Sequence, residues 1–205
     1  MDIGFIVDSS GRTEREFAEQ KDLLKNIADA FDISSAGTRA GVLSSSEVSA
    51  KMIRLADYNA TSEFKRAVDQ LPFQPGKQMR IDASIQRASR ELFDPANGAR
   101  SDVRQVLVVL TGREKFSSAE AASLSFAAGP LHEADAKVIV IGVGAGVKNP
   151  DLKSISRQPS DVYLVDSFFQ LSSSALRTRI GTAVCKATGR CNFYCSVNES
   201  MIVFL

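Results

Sequence analysis

The chain has no apolar run long enough to span a membrane. Its longest stretches of that kind, residues 106–110 and 138–143, are strand length, well short of the ~20 residues a spanning helix needs. No leader is read at its start: Met1 is followed at once by Asp2 and the first apolar run, where a signal peptide would show a basic segment and then an apolar one. A secreted protein needs such a segment, so the chain is expected to be a fragment or an excised domain of a longer protein. It has no excess of one charge either. Lys+Arg 25 against Asp+Glu 24 leaves a net charge of +1, which offers no global field to nucleic acid or to an anionic membrane. No basic stripe is interleaved with aromatics.

Catalytic furniture is equally scarce. His132 is the single histidine, expected on or just after a helix, so the serines have no candidate base. No Gly-x-Ser-x-Gly elbow follows a strand, which argues against nucleophilic acyl transfer. Gly142-Val143-Gly144-Ala145-Gly146 is glycine-rich but lacks the dinucleotide spacing, and Gly-Lys-Ser/Thr is missing altogether. A tight strand exit is the better reading than a phosphate cradle. Three cysteines, Cys185, Cys191 and Cys195, lie together near the C-terminus. Their spacing is not that of a zinc site. An extracellular disulfide is expected, with the odd thiol paired outside this chain. Asn59-Ala60-Thr61 and Asn198-Glu199-Ser200 fit the glycosylation acceptor pattern.

What is present is one good core: 205 residues, 44% hydrophobic and 24% charged, enough for a single domain with a short tail. Strands are predicted at 1–7, 38–43, 48–55, 103–111, 137–144 and 161–165. Helices are predicted from a capping box at Thr13 and Glu16, at 61–71, 82–93, 117–128 and 151–156, and over 168–184. The first helix carries Phe17, Leu23, Leu24, Ile27, Ala28 and Phe31 as its apolar stripe. Gly129-Pro130 is a breaker inside or after the fourth helix. Strands alternating with helices imply an α/β, doubly wound, Rossmann-like fold. Its sheet is six-stranded and mostly parallel, with one antiparallel edge strand and helices on both faces. Ligands of such folds bind at the carboxyl ends of the strands, where Asp8-Ser9-Ser10-Gly11-Arg12 follows the first strand. That acid is either an Asx-type turn former or a ligand for a hard cation such as Mg²⁺.

The succession of segments resembles the von Willebrand factor type A domain. DIGFIVDSS, TRAGVLSSS, RELFDPANGARSDVRQVLVVLTGREKF, VIVIGVGAG and SDVYLVDSFFQL follow in the family's order over residues 2–186. The remainder, 187–205, reads as a short cysteine-containing tail, either the start of a truncated module or an altered C-terminus. The resemblance is to matrix and adhesion domains such as those of collagen VI, matrilins and the integrin α insert. It implies a protein-binding role and a metal-ion-dependent adhesion site (MIDAS) built on Asp-x-Ser-x-Ser, a threonine and an aspartate. Asp8 and Ser10 match that pattern. Arg12 stands at the second serine, Met79 near the threonine and Gly112 at the aspartate. A guanidinium cannot deprotonate; Arg12 or Arg113, reaching Asp8, would take the cation's role, so no metal or other cofactor is expected. Asp82 is the residue able to supply a replacement carboxylate. Many A domains pair a cysteine at the place of Cys185 with one before the first strand, a stretch this chain lacks.

These readings lead to a non-enzymatic, secreted module of the extracellular matrix. Its expected partners are collagens, other matrix proteins or other A domains, with no nucleic acid and no membrane insertion. The top loops, 9–12, 78–82 and 112–116, are the expected binding surface. There Arg12, Arg80, Arg113 and Lys115 would be locally basic and suited to acidic partners or glycosaminoglycan. The alternatives are a metal-dependent adhesion domain that binds an acidic ligand residue through Mg²⁺, and an intracellular scaffold of the same fold.

Overall fold

The computed structural model describes residues 1–10, 13–46, 50–74, 80–113 and 116–188. Six strands form one sheet in the order β3-β2-β1-β4-β5-β6. They are β1 (Asp2–Asp8), β2 (Arg39–Ser45), β3 (Ala50–Ile53), β4 (Gln105–Thr111), β5 (Lys137–Val143) and β6 (Val162–Val165). All neighbours are parallel except β2 and β3, where Val42 faces Ile53 and Ser45 faces Ala50. The expected single antiparallel edge is therefore present. Because the other five strands run the same way, Asp8, Ser45, Thr111, Val143 and Val165 all finish at one rim.

The strands are buried on both faces, and their alternation sorts side chains between two cores. Ile3, Phe5 and Val7 of β1, Val106, Val108 and Leu110 of β4, and Ile139 and Ile141 of β5 point to one side. There they meet α1 (Glu14–Ala28), α2 (Thr61–Asp69) and α6 (Ser174–Thr188) through Phe17, Leu24, Phe64, Ile180 and Val184. Ile6, Leu107, Val109, Val138 and Val140 point to the other side. That layer holds α3 (Ile81–Arg87), α4 (Ser118–Glu133) and the short α5 (Asn149–Leu152).

Two glycines decide how closely the second layer approaches. Gly4 and Gly41 lie in register on neighbouring strands. A Cβ on Gly4 would meet Leu92 Cδ2 at 2.8 Å, and one on Gly41 would meet Leu92 Cδ1 at 2.7 Å and the Ile53 carbonyl at 2.9 Å. The bare backbone thus forms a notch for Leu92, which sits on a π-helical turn (Ala88–Leu92) continuing α3. The wider turn is closed by Phe93 N donating to Ala88 O at 3.0 Å. At the opposite rim Asp2, fully buried, is held by Arg100. The Nε and Nη2 of Arg100 donate to Asp2 Oδ1 at 2.9 and 2.7 Å, and its backbone N donates to Oδ2 at 2.7 Å.

Several boundaries differ from those read in the sequence. The first helix stops at Ala28, so Phe31 packs on the same core from the turn beyond. The fourth helix passes through Gly129 and Pro130 to Glu133. Leu124, Ala127, Ala128 and Leu131 are buried on its inner face, and that packing outweighs the lost backbone bond. Asp135 then ends it in the left-handed region at φ 54, with Ala136 N donating back to Leu131 O at 2.9 Å. The closing helix is divided into a 3₁₀ turn (Phe168–Ser172) and α6, separated by extended Ser173. The short helix expected at 151–156 is α5, earlier and only one turn long. Among the described residues no helix is long and apolar enough to cross a membrane.

Filling the notch with Gly41→Ala should cost about 1–3 kcal/mol in urea unfolding. Phe126→Ala, at a ring 77% exposed on α4, should stay within about 0.5 kcal/mol of the parent. His132 supplies a pH test. Burial lowers its pKa first, the bond between its Nε2 and the Ile155 carbonyl opposes this, and the charge of Arg157 adds to the lowering. The unfolded chain therefore binds the proton more readily. Stability is full above the unfolded value of about 6.5 and falls as pH drops from there toward the folded value. The fall in urea midpoint between pH 7.5 and 5.5 should be smaller in His132→Gln.

Candidate functional site

The rim over β1 is built from Asp8 outward. Asp8 sits in register with Ser45, and the chain turns beyond it through Ser9 and Ser10. Ser9 N donates to Ser45 O at 2.9 Å, and Ser9 O accepts from Gln74 N at 3.0 Å. The backbone of Asp8 is held by Gln20, a fully buried residue of α1. Asp8 N donates to Gln20 Oε1 at 3.0 Å, while Gln20 Nε2 donates to Asp8 O at 3.0 Å. Thr13 opens α1 by accepting from Glu16 N at 3.2 Å, and so brings Gln20 to this height. The Asp8 side chain accepts from Ser10 N at 2.9 Å and Ser10 Oγ at 2.5 Å, which is the geometry of the Asx-type turn, one of the two readings of this sequence. Burial pushes its carboxyl above the usual range, and the two Ser10 bonds pull the other way. Among the described residues the Ser9 hydroxyl is buried without a partner.

The neighbouring loops are occupied by pairs of their own. Arg80, just ahead of α3, donates from Nη2 to Asp82 Oδ2 at 2.8 Å and from Nε to Oδ1 at 3.4 Å. Ser123 Oγ of α4 donates to the same Oδ2 at 2.8 Å. Burial alone would raise Asp82. The bonds from Arg80, Ser123 and Ala83 N outweigh it and hold the carboxyl below its ordinary range. Asp82 is thus committed to Arg80 and Ser123. After β4, Thr111 Oγ1 accepts from Arg113 N at 3.2 Å. The Arg113 guanidinium pairs with Glu120 and lies 5.1 Å from the Phe116 ring centre. Of the two arginines that could have reached Asp8, Arg113 is paired with Glu120, and the Asp8 carboxylate is met by Ser10 among the described residues. Glu120 also closes the α4 capping box, accepting from Ser117 N at 2.8 Å and Ser117 Oγ at 3.0 Å. That backbone bond, then the hydroxyl, with Arg113 adding to them, keep its carboxyl low against burial. Since Arg80 and Arg113 each carry an acid of their own, the basic character expected of this rim is largely cancelled at these two residues.

Gly112 carries no side chain, and a Cβ there would lie 3.2 Å from Cζ of Phe168. Phe168 begins the 3₁₀ turn after β6, so its ring reaches across to the end of β4. Of the five positions that the MIDAS resemblance singles out, Asp8 and Ser10 alone bear side-chain oxygens. Among the described residues no three His, Cys, Asp or Glu side chains gather as a metal-binding group. Arg12, Met79 and Lys115 lie outside the described residues, as do Cys191, Cys195 and Asn198. Cys185 is buried near the end of α6. Asn59 is exposed in the loop before α2, and Thr61 of its triplet accepts from Ile33 N at 3.4 Å and donates to Phe31 O at 3.3 Å.

Gln20, Ser123, Glu120 and Phe168 shape the rim and were not singled out in the sequence. One of them had a visible signal, the Ser117-x-x-Glu120 spacing of a capping box. The others act through contacts between distant segments.

This fold and rim define a class of protein, and comparison with known proteins names it. The chain matches the von Willebrand factor type A domain over residues 2–177 and belongs to that family. It is 25% identical over 167 residues to von Willebrand factor of Rattus norvegicus, covering 81% of this chain and 36% of that protein. Against the human collagen alpha-6(VI) chain it is 28% identical over 169 residues, covering 82% of this chain and 7% of the relative. Against human vitrin it is 31% identical over 111 residues, 54% of this chain and 16% of the relative. The chain therefore spans well under half the length of each. Among solved structures, proximal thread matrix protein 1 of the mussel byssus superposes with a TM-score of 0.79 at 22% identity, over 90% of this chain and 47% of that one. A further structure of that mussel protein, described as having a zinc-occupied MIDAS motif, gives a TM-score of 0.78. At such identities the likeness establishes the fold.

Replacing Gln20 by Leu leaves Asp8 N and Asp8 O without their buried partner. The expected loss is about 2–3 kcal/mol, read by urea unfolding, with the Asp8 and Ser10 amide resonances shifted. Gln20→Glu should lose at least as much at pH 7, because its buried carboxylate would face the Asp8 carbonyl without a donor, and should recover as pH falls and the acid is protonated.

Proposed function

We propose that this A domain is a non-enzymatic protein-binding module of a secreted matrix or adhesion protein, and that it works without a resident divalent cation. The observation that carries the reading is at Gly112. Where the family places a carboxylate this chain has no side chain, and the Phe168 ring lies against the vacant Cβ position. Asp8 and Ser10 alone would leave Mg²⁺ with one carboxylate, one hydroxyl and waters in the rest of its octahedral shell, a weak site. Arg12, two residues past Ser10, would add a fixed positive charge to the same loop. The non-enzymatic reading is supported by the one histidine, whose Nε2 is engaged by the Ile155 carbonyl, and by the Asp8 carboxylate meeting only Ser10 among the described residues.

The partners in this reading are matrix proteins such as collagens or other A domains. The names collagen and von Willebrand factor among its relatives support that choice. Secretion agrees with an exposed Asn59 acceptor. A metal-dependent adhesion domain is the second reading. It is favoured by the retained Asp8 and Ser10 and by the MIDAS occupancy described for the mussel protein.

Calorimetric titration with MgCl₂ and MnCl₂ separates the two. The metal-free reading expects no site tighter than about 1 mM and adhesion to immobilised collagen that EDTA leaves unchanged. The triple variant R12S/M79T/G112D should gain a cation site. A micromolar site in the parent chain, with adhesion abolished by EDTA, would establish the second reading instead.

A further inference from the structure

Beside the Asp8 loop, between α3 and α4, lies a cleft of about 210 Å³. Its walls are Arg80, Asp82, Arg113 and Glu120, its floor is Ile81 and Leu124, and the Phe116 ring borders it. Ile81 and Leu124 are each 2% exposed, so the floor is firm and apolar. The volume is below the roughly 300 Å³ at which small-molecule pockets usually begin, and suits one side chain.

The hydrogen-bond inventory of the walls is lopsided. Asp82 accepts from two nitrogens of Arg80, from Ser123 Oγ and from Ala83 N. Glu120 accepts from Ser117 N, Ser117 Oγ and Arg113 Nη2. Both acids are therefore well supplied with donors. Arg80 uses Nε and Nη2, its Nη1 meets no acceptor among the described residues, and its side chain is 72% exposed. What the lining of the cleft still offers is the Nη1 edge of Arg80, whose Nε and Nη2 are turned to Asp82, together with the apolar Ile81 and Leu124. Two guanidinium groups against two carboxylates leave the lining neutral, so a polyanion gains little there.

We propose that the α3–α4 cleft is a docking pocket for one acidic side chain of a protein partner. The carboxylate lies on the outer edge of Arg80, and its methylenes or an adjoining apolar residue rest on Ile81, Leu124 and Phe116. This deepens the metal-free reading and rests on it. The partner's acid is received by a guanidinium one loop away from Asp8, with no cation between them.

The test is an amide chemical-shift titration of the ¹⁵N-labelled domain with 3-phenylpropanoate, a carboxylate carrying an apolar group. The expected result is saturable shifts confined to residues 80–84 and 116–124 and unaffected by EDTA. Binding should be about tenfold weaker or more in Arg80→Ala and unchanged in Arg90→Ala, an exposed arginine further along the same helical segment. Unsaturable shifts, or shifts insensitive to Arg80→Ala, overturn the proposal. A heparin octasaccharide that displaces the probe in an Arg80-dependent way overturns it too, by reassigning the cleft to sulfated polysaccharide. The two readings fail separately. Probe shifts centred on Asp8 and Ser10 that vanish with EDTA would sink the metal-free reading itself, whereas EDTA-resistant adhesion to collagen with an empty cleft would sink the pocket alone.

Discussion

Gln20 holds the end of β1 by both ends of its amide, and the upper rim is arranged around that fixed point. A buried glutamine is costly unless its donor and acceptor are both used. Here each meets a backbone group of Asp8 that would otherwise be orphaned where the strand stops pairing. The clamp ties α1 to the sheet at the height of the first loop. The Asp8 carboxylate is then placed by the turn through Ser9 and Ser10, whose amide and hydroxyl both donate to it. On the metal-free reading proposed above, an acid held this way needs no cation to keep its place.

The second constraint is how the neighbouring charges are distributed. In the sequence, Arg80 and Arg113 stand beside two loops of the rim and read as free positive charge. In the folded chain each is drawn to an acid on a helix of the second layer, Asp82 on α3 and Glu120 on α4. Glu120 caps its own helix and restrains the loop after β4 with the same carboxylate. The rim at these residues is therefore a set of neutral, ordered pairs. In the docking proposal, recognition there would depend on the direction of individual N–H groups more than on overall field.

The fold was legible because strand and helix periods are local. Apolar runs at 103–111 and 137–144 are too short for helices and too continuous for surface strands, and they became β4 and β5. The placement of Asp8 at the carboxyl rim followed from the same alternation. Two kinds of feature were not legible. Pro130 reads as a breaker, yet α4 continues because Leu131 is buried on the face already occupied by Leu124, Ala127 and Ala128; tertiary packing overrode a local preference. The rim pairings join segments far apart in the chain, Ser123 with Asp82 and Phe168 with Gly112, and no window of sequence contains both members. The vacancy at Gly112 could be read from the residue alone, whereas the aromatic ring lying against it could not.

We infer that the first loop holds its acid without a cation. The most direct measurement is a crystal structure of the domain soaked in MnCl₂, with diffraction recorded at an energy where manganese scatters anomalously. The account expects no anomalous peak near the Asp8 and Ser10 oxygens and a Phe168 ring still against Gly112. A manganese ion in octahedral coordination on Asp8 and Ser10 would contradict it.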